Sequence, residues 1–229
     1  MKTIKGIWRF SRVICYTFVC LFQAYTRFKR VDRKEKGRML RYYPTQVLKL
    51  AGVRCSYEGN VPELLHECGL TDTPPAYMVL SNHISWLDIF SLDSQLPSRF
   101  IAKAEIAKWP VFGLIAQQIG TLFINRSSKR AILRINDDIR GALCNCEAVT
   151  IFAEGTTTFG NELLPIKANF IAPACEIGAT VQPVILSYKN KGKPTKRAAF
   201  AGDVTLFGSL WNVVTMEDAE VVVHFLEPI

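Results

Sequence analysis

His83 and Asp88 stand five residues apart in the run Asn82-His83-Ile84-Ser85-Trp86-Leu87-Asp88. A histidine titrates near neutrality, and a carboxylate on one imidazole nitrogen fixes the tautomer and leaves the other free to take a proton from an alcohol. On one continuous helix a separation of five turns the two side chains about 140° apart. They meet only if His83 lies in a turn and Asp88 in the first helical turn. Ser85-x-x-Asp88 fits that geometry, as an N-cap followed by an acid at the third helical position. The same spacing also fits a capping box beside an uninvolved histidine. The chain has no G-x-S-x-G elbow and no cysteine in a recognisable catalytic setting. A His–Asp pair without a nucleophile implies that the activated oxygen comes from a substrate, whose hydroxyl attacks an activated acyl group directly. Water as the attacking oxygen, in a lipid esterase, is the competing chemistry. A membrane-binding module without chemistry is a third reading.

The elements that must position this pair are those of an α/β domain. The sequence predicts strands at Val53–Tyr57, Ala76–Leu80, Arg99–Ala102, Thr121–Ile124, Val149–Ala153, Thr180–Leu186 and Glu220–Phe225. Helical spacing covers Trp86–Leu96, Val111–Ile119 and Lys129–Cys146. Strands alternating with helices of this length imply a mostly parallel mixed sheet flanked by helices. Ligands of such sheets bind beyond the carboxyl ends of the strands. Polar residues stand at those ends: Ser81, Asn82 and His83 after one strand, Lys103 and Glu105 after the next, then Asn125 and Arg126, then Glu154, Gly155 and Thr156.

The 229 residues are 49% hydrophobic and 21% charged, which excludes a disordered or low-complexity chain. Mean hydropathy is +0.13, yet no apolar run is long enough to cross a bilayer. The net charge of +8 is concentrated: residues 1–40 hold 11 of the 28 Lys and Arg and only 2 of the 20 Asp and Glu. Lys2, Lys5, Arg9 and Arg12 follow a helical step and form one face, with Ile4, Ile7, Trp8, Ile14, Cys15, Phe18 and Phe22 mostly opposite. A basic stripe backed by aromatics predicts a helix lying in an anionic membrane surface. Docking on the protein's own core is the plainer alternative. Nucleic acid is disfavoured, because the aromatics continue an apolar stretch instead of interleaving with the charges. Basic residues on both sides of Val13–Tyr25 would hold both ends in the cytoplasm. A second helix is expected over 34–51, interrupted by Pro44 and closed by Gly52. Residues 1–52 thus read as a two-helix membrane-docking segment and 53–229 as the catalytic domain. Seven cysteines without framework or zinc spacing read as reduced thiols, and no metal site is expected.

Asn82–Asp88 resembles the first motif of the glycerolipid acyltransferases, the group containing bacterial 1-acyl-glycerol-3-phosphate acyltransferase. Lys103-x-Glu105 with Trp109-Pro110-x-Phe112-Gly113 resembles the stretch after it. Gly120-Thr121-Leu122-Phe123-Ile124-Asn125-Arg126 resembles the second motif, Phe152-Ala153-Glu154-Gly155-Thr156 the third, with Leu164-Pro165-Ile166-Lys167 behind it, and Val181-Gln182-Pro183-Val184 the fourth. The matches run in family order over about residues 53–190. The resemblance implies His83 as general base, Asp88 as its orienting partner and Arg126 as the holder of an acceptor phosphate, a role that suits a guanidinium fork. It implies Asn82, Lys103, Glu154, Gly155 and Thr156 as further substrate-binding residues. It also implies a thioester co-substrate, acyl-acyl carrier protein or acyl-CoA, no other cofactor, and a place on the cytoplasmic face of a bacterial inner membrane. The acceptor implied is 1-acyl-sn-glycerol-3-phosphate. Two positions depart from the pattern: Ala153 replaces a usual proline, and Thr157 stands where many lysophosphatidate enzymes carry arginine. Glu154-Gly155-Thr156-Thr157 followed by Gly160-Asn161 is closer to members that acylate lyso-ornithine lipid, an acceptor without phosphate.

Overall fold

The computed structural model describes residues 2–61, 76–125 and 129–229. Its α-helices among the described residues are α1 (Lys2–Gln23), α2 (Arg33–Ala51), α3 (Leu87–Asp93), α4 (Phe112–Gln118), α5 (Lys129–Cys144), α6 (Ala172–Glu176) and α7 (Leu206–Val214). Its strands are β1 (Val53–Gly59), β2 (Tyr77–Ser81), β3 (Arg99–Lys103), β4 (Leu122–Ile124), β5 (Val149–Phe152), β6 (Thr180–Asn190), β7 (Lys193–Pro194) and β8 (Ala219–Phe225). They form one sheet in the order β1-β8-β6-β2-β5-β3-β4, with β7 hairpinned onto β6. From β6 to β4 every pairing is parallel. β8 runs antiparallel to β6, and β1 runs parallel to β8. The expected mostly parallel mixed sheet is what forms.

The central strands are apolar on both sides because helices cover both sides. Val79 joins a core with Val13 of α1, Val47, Leu48 and Ala51 of α2, Leu87 and Leu92 of α3, and Leu210 and Val213 of α7. Met78 joins the opposite core, with Ile135 and Ile139 of α5 and Ala174 of α6. Odd and even residues of one strand therefore feed different layers.

The amino-terminal arm departs from its sequence reading in three ways. First, α2 is not interrupted: Pro44 sits inside a continuous helix that Asp32 caps through the Glu35 N–H (2.8 Å) and Gly52 closes in the left-handed conformation. A proline costs a helix one hydrogen bond, but here its ring is buried in the core and lines a cavity, which offsets the loss. Second, Arg9 does not belong to a free basic face. Its guanidinium turns inward and donates to the carbonyls of Val214 (3.2 Å) and Met216 (3.0 Å), just past α7. A Cβ on Gly52 would lie 2.2 Å from the Arg9 Cζ, so only glycine leaves room for that guanidinium. Third, α1 packs one face on the protein's own core and leaves an apolar row exposed on another. Gly6, Val13 and Thr17 face the core, while Ile4, Ile7, Trp8, Phe18, Val19 and Phe22 remain exposed. No helix among the described residues is long and apolar enough to cross a membrane.

Helix α7 has no counterpart in the sequence reading. Its Phe207 and Trp211 rings lie 6.4 and 6.1 Å from that of Phe10, joining the carboxyl-terminal third of the chain to α1.

Candidate active site

β2 and β5 are adjacent and parallel, with Ser81 opposite Phe152, so the turns that leave them emerge at the same end of the sheet. The β2 turn carries Asn82 and His83, and the β5 turn carries Glu154, Gly155 and Thr156. β3, next to β5, ends at Lys103 on the same side. The expected convergence at the strand ends therefore occurs.

His83 Nδ1 lies 2.8 Å from Asp88 Oδ2. That oxygen also accepts the backbone N–H groups of Ile84 (2.7 Å) and Ser85 (2.8 Å). The bond to Ser85 is the reach-back half of a capping box. The other half is altered: the Asp88 N–H goes to the Ser85 carbonyl (3.1 Å), and the Ser85 hydroxyl accepts the Leu87 N–H (3.4 Å) instead. Asp88 is fully buried. A carboxylate so placed requires donors on both oxygens, and Oδ1 receives the hydroxyl of Tyr188 from β6. The His83 ring stacks on Phe152, with centroids 3.8 Å apart and planes 8° from parallel. One edge of the imidazole is thus pinned by Asp88 and one face by Phe152. The other nitrogen, Nε2, has no hydrogen-bond partner among the described residues.

Glu154 and Asn82 serve this geometry through the backbone. Glu154 Oε1 accepts the His83 N–H (2.9 Å) and Oε2 accepts the Leu164 N–H (3.0 Å). The His83 carbonyl accepts the Thr158 N–H (2.8 Å), so the β5 turn grips His83 at both ends. Asn82 donates to the Leu186 carbonyl (3.0 Å) and accepts its N–H (2.7 Å), copying a ladder rung onto β6. Gly155 has a φ of 71°, which glycine adopts freely, and its N–H is bound to the Phe152 carbonyl. The amides of Thr156 and Thr157 have no hydrogen-bond partner among the described residues. The Thr157 hydroxyl donates to the Phe200 carbonyl. Lys103 is exposed, and Arg126 lies outside the described residues.

His83, Phe152, Lys103, Gly155, Thr156 and Thr157 all border one cavity of about 700 Å³. Its remaining wall is overwhelmingly apolar: Met39, Leu40, Pro44 and Val47 of α2, Ile89 and Phe90 of α3, and Phe112 and Ile115 of α4. The buried exception is Asp93, whose carboxyl burial pushes well above the ordinary range while the Ser98 N–H (3.0 Å) draws it back. Cys20 also borders the cavity, and burial pushes its thiol up to about 12, so it is protonated and inert at neutral pH. The shape can hold a long hydrocarbon chain with its polar end at His83. No group of His, Cys, Asp and Glu suited to a metal occurs among the described residues.

Phe152 and Tyr188 went unnoticed in the sequence as site residues. Phe152 stands inside the third motif but reads as a strand residue. Tyr188 lies 100 residues after Asp88, and no local pattern links the two.

A family model described as Acyltransferase matches residues 55–187. Over 154 residues the chain is 43% identical to a 1-acyl-sn-glycerol-3-phosphate acyltransferase of Neisseria gonorrhoeae, covering 67% of this chain and 60% of that protein. It is 40% identical over 150 residues to a lyso-ornithine lipid O-acyltransferase of Pseudomonas aeruginosa, covering 66% of this chain and 58% of that one. A lyso-ornithine lipid O-acyltransferase of Brucella abortus is 32% identical over 88% of this chain and 77% of its own. The chain thus spans about 60% of the length of the first of these relatives. The crystal structure of a 1-acyl-sn-glycerophosphate acyltransferase from Thermotoga maritima shares the fold, with a TM-score of 0.67 at 18% identity over 100% of this chain and 87% of that one. With a family match across more than half its length, centred on the turns that build the His83 site, the chain belongs to the acyltransferase family.

Proposed function

We propose that the protein is a membrane-associated O-acyltransferase that moves a fatty acyl group from a thioester to the free hydroxyl of a lysolipid. The observation that carries this is His83 on the lining of an apolar cavity, with Nδ1 held by Asp88 and Nε2 without a hydrogen-bond partner among the described residues. Nε2 takes the proton of the lysolipid hydroxyl as its oxygen bonds to the thioester carbonyl carbon. The carbon–sulfur bond then breaks, the imidazolium returns the proton to the leaving thiolate, and the ester departs. The tetrahedral oxyanion needs donors in place beforehand, and the amides of Thr156 and Thr157, unpartnered among the described residues, are the candidates. The Gly155 N–H is already engaged. The donor is acyl-acyl carrier protein or acyl-CoA, with no other cofactor.

The acceptor we favour is 1-acyl-sn-glycerol-3-phosphate, giving phosphatidate, with Arg126 and Lys103 as its phosphate cations. One observation favours lyso-ornithine lipid instead. Thr157 spends its hydroxyl on the Phe200 carbonyl and offers no charge. The exposed apolar row of α1, with its neighbouring lysines and arginines, would lie in the anionic cytoplasmic leaflet and bring the cavity to the lipid. Residues 1–52 would then be the membrane-facing part and 53–229 the catalytic part, although the two share one core.

The test is thiol release from palmitoyl-CoA and from acyl carrier protein thioesters, with each lysolipid added in parallel. Release that requires lysophosphatidate supports the phosphatidate assignment. Release that requires lyso-ornithine lipid moves the assignment to the aminolipid. Release with no lysolipid present means hydrolysis and overturns the proposal. His83→Ala should lower acceptor-dependent release by about a hundredfold or more while leaving the thermal transition in place.

A further inference from the structure

β6 is longer than the strand it flanks. β2 ends at Ser81, opposite Val184, while β6 continues to Asn190, with β8 beside it throughout and β7 joining at Lys189 and Asn190. The space that more of β2 would fill is taken by the turn 82–88. Two residues of the overhang hold that turn: Leu186 by its backbone on Asn82, and Tyr188 by its hydroxyl on Asp88. Tyr188 is itself buried, and its phenol is pushed well above the ordinary tyrosine range by that burial and by the Asp88 carboxylate beside it. It is therefore a donor at every working pH.

We propose that Tyr188 is a positioning residue that acts through Asp88: its hydroxyl fixes the plane of the carboxylate and shares its charge, and so sets how strongly Asp88 holds a proton on His83. The proposal rests on the reading of His83 as the general base. A carboxylate torsion is broad and nearly two-fold, so bonds to Oδ2 alone leave Oδ1 free to swing. A hydrogen bond donated to a charged carboxylate stabilises its charge and lowers its basicity. With Tyr188 present, Asp88 is a weaker acceptor toward the imidazole. Without it, Asp88 stabilises the imidazolium more strongly. Among the described residues the other titratable or charged groups around the pair are Glu154 on the His83 amide, Asp93, Lys103 and Glu105 on the wall of the same cavity, and Cys55 of β1 beside Tyr188. Arg41 of α2 donates to the Gln95 carbonyl (3.3 Å), just beyond the far end of α3.

Tyr188→Phe keeps the ring and removes the donor. In the full-length protein, the acid limb of the pH profile for acceptor-dependent thiol release should move up by about half to one unit. The plateau rate should fall about tenfold while the KM for the thioester holds, because the effect reaches the base and not the donor site. In an Asp88→Asn background the same substitution should add nothing further. An unmoved acid limb in folded Tyr188→Phe, or losses that multiply in the double variant, would overturn the proposal. If that variant fails to fold, 3-fluorotyrosine at position 188 is a stronger donor of nearly the same size and should move the limb to lower pH. An unmoved limb there also overturns the proposal. If the wild-type protein shows no acceptor-dependent release, the functional reading has failed, and Tyr188 is tested without catalysis by NMR titration of the His83 ring. The midpoint should be higher in Tyr188→Phe than in wild type, and coincident curves would refute the link.

Discussion

Replacing Glu154 by glutamine separates two roles for the third motif. The carboxylate accepts one backbone N–H on each oxygen, from His83 at 2.9 Å and from Leu164 at 3.0 Å, and is almost wholly buried. Glutamine has one acceptor oxygen, so one of the two amides must face an NH2 group and lose its partner. An orphaned buried N–H costs about 1–3 kcal/mol, and the surviving bond loses its charge assistance, about 1 kcal/mol more. A neutral amide costs less to dehydrate than a carboxylate, which returns part of this. The net expectation is about 2 kcal/mol, or a fall in Tm of about 4–8 °C for a chain of this length. Either orphan loosens the turn that holds His83, so kcat should fall about tenfold with the acceptor KM little changed. The assay is thermal unfolding beside acceptor-dependent thiol release at varied lysolipid concentration. An unchanged Tm with a KM for lysolipid raised tenfold at constant kcat would refute the bracing role and make Glu154 a direct acceptor contact.

Asp93→Asn should stabilise the protein, and increasingly so as pH rises. The buried carboxyl of Asp93 holds its proton to higher pH than it does in the unfolded chain, so folding takes up a proton in that interval and stability declines as pH climbs through it. Asparagine still accepts the Ser98 N–H, and its advantage in Tm should vanish below the ordinary carboxyl range. In maleimide labelling read by mass spectrometry, the exposed Cys15, Cys144 and Cys175 should react at neutral pH. Cys20 and Cys55, pushed up to about 12 and about 11 by burial, should react only on unfolding, and early labelling of either would contradict their placement. Trp8→Glu together with Phe18→Glu should weaken co-sedimentation with anionic vesicles by tenfold or more, since each inserted aromatic contributes about 1.5 kcal/mol or more. Both side chains are more than half exposed, so the Tm should stay within about 2 °C. Equal vesicle binding would argue against α1 as the lipid contact.

The features legible in the sequence are those whose cause is local. β2 and β5 announce themselves because strands covered on both faces are predominantly apolar, as Tyr77–Leu80 is throughout and Val149–Phe152 is apart from Thr150, whose hydroxyl pairs with that of Ser98 (2.6 Å). His83, Asp88, Glu154 and Lys103 stand out because polar residues interrupt the chain where those strands end. The unread features have distant causes. Arg9 looks like one rung of a basic stripe until the carbonyls of Val214 and Met216, more than 200 residues away, supply its partners. Pro44 looks like a break until tertiary packing holds the helix together around it. The residues of α7, Leu206–Val214, mix branched and aromatic types that suit strands equally well, although Thr205 does cap the helix through the Gly208 N–H (3.1 Å). Asn82 and Glu154 read as polar groups awaiting a ligand, yet their side chains are committed to backbone.

The β6 overhang also bears on the order in which the site comes into being during synthesis. The first motif leaves the ribosome early, but its supports are spread along the chain: Glu154 and Thr158 hold His83, Leu186 holds Asn82, and Tyr188 holds Asp88. Such long-range contacts form only when both partners are present. A nascent chain has the histidine and its aspartate about 100 residues before it has the strand that fixes them. The proposed general base is therefore assembled only as the sheet closes from β2 across to β6, and a chain that ends before β6 carries the motif without its geometry. In this protein the His83–Asp88 arrangement and the pairing of β2 with β6 come into place together.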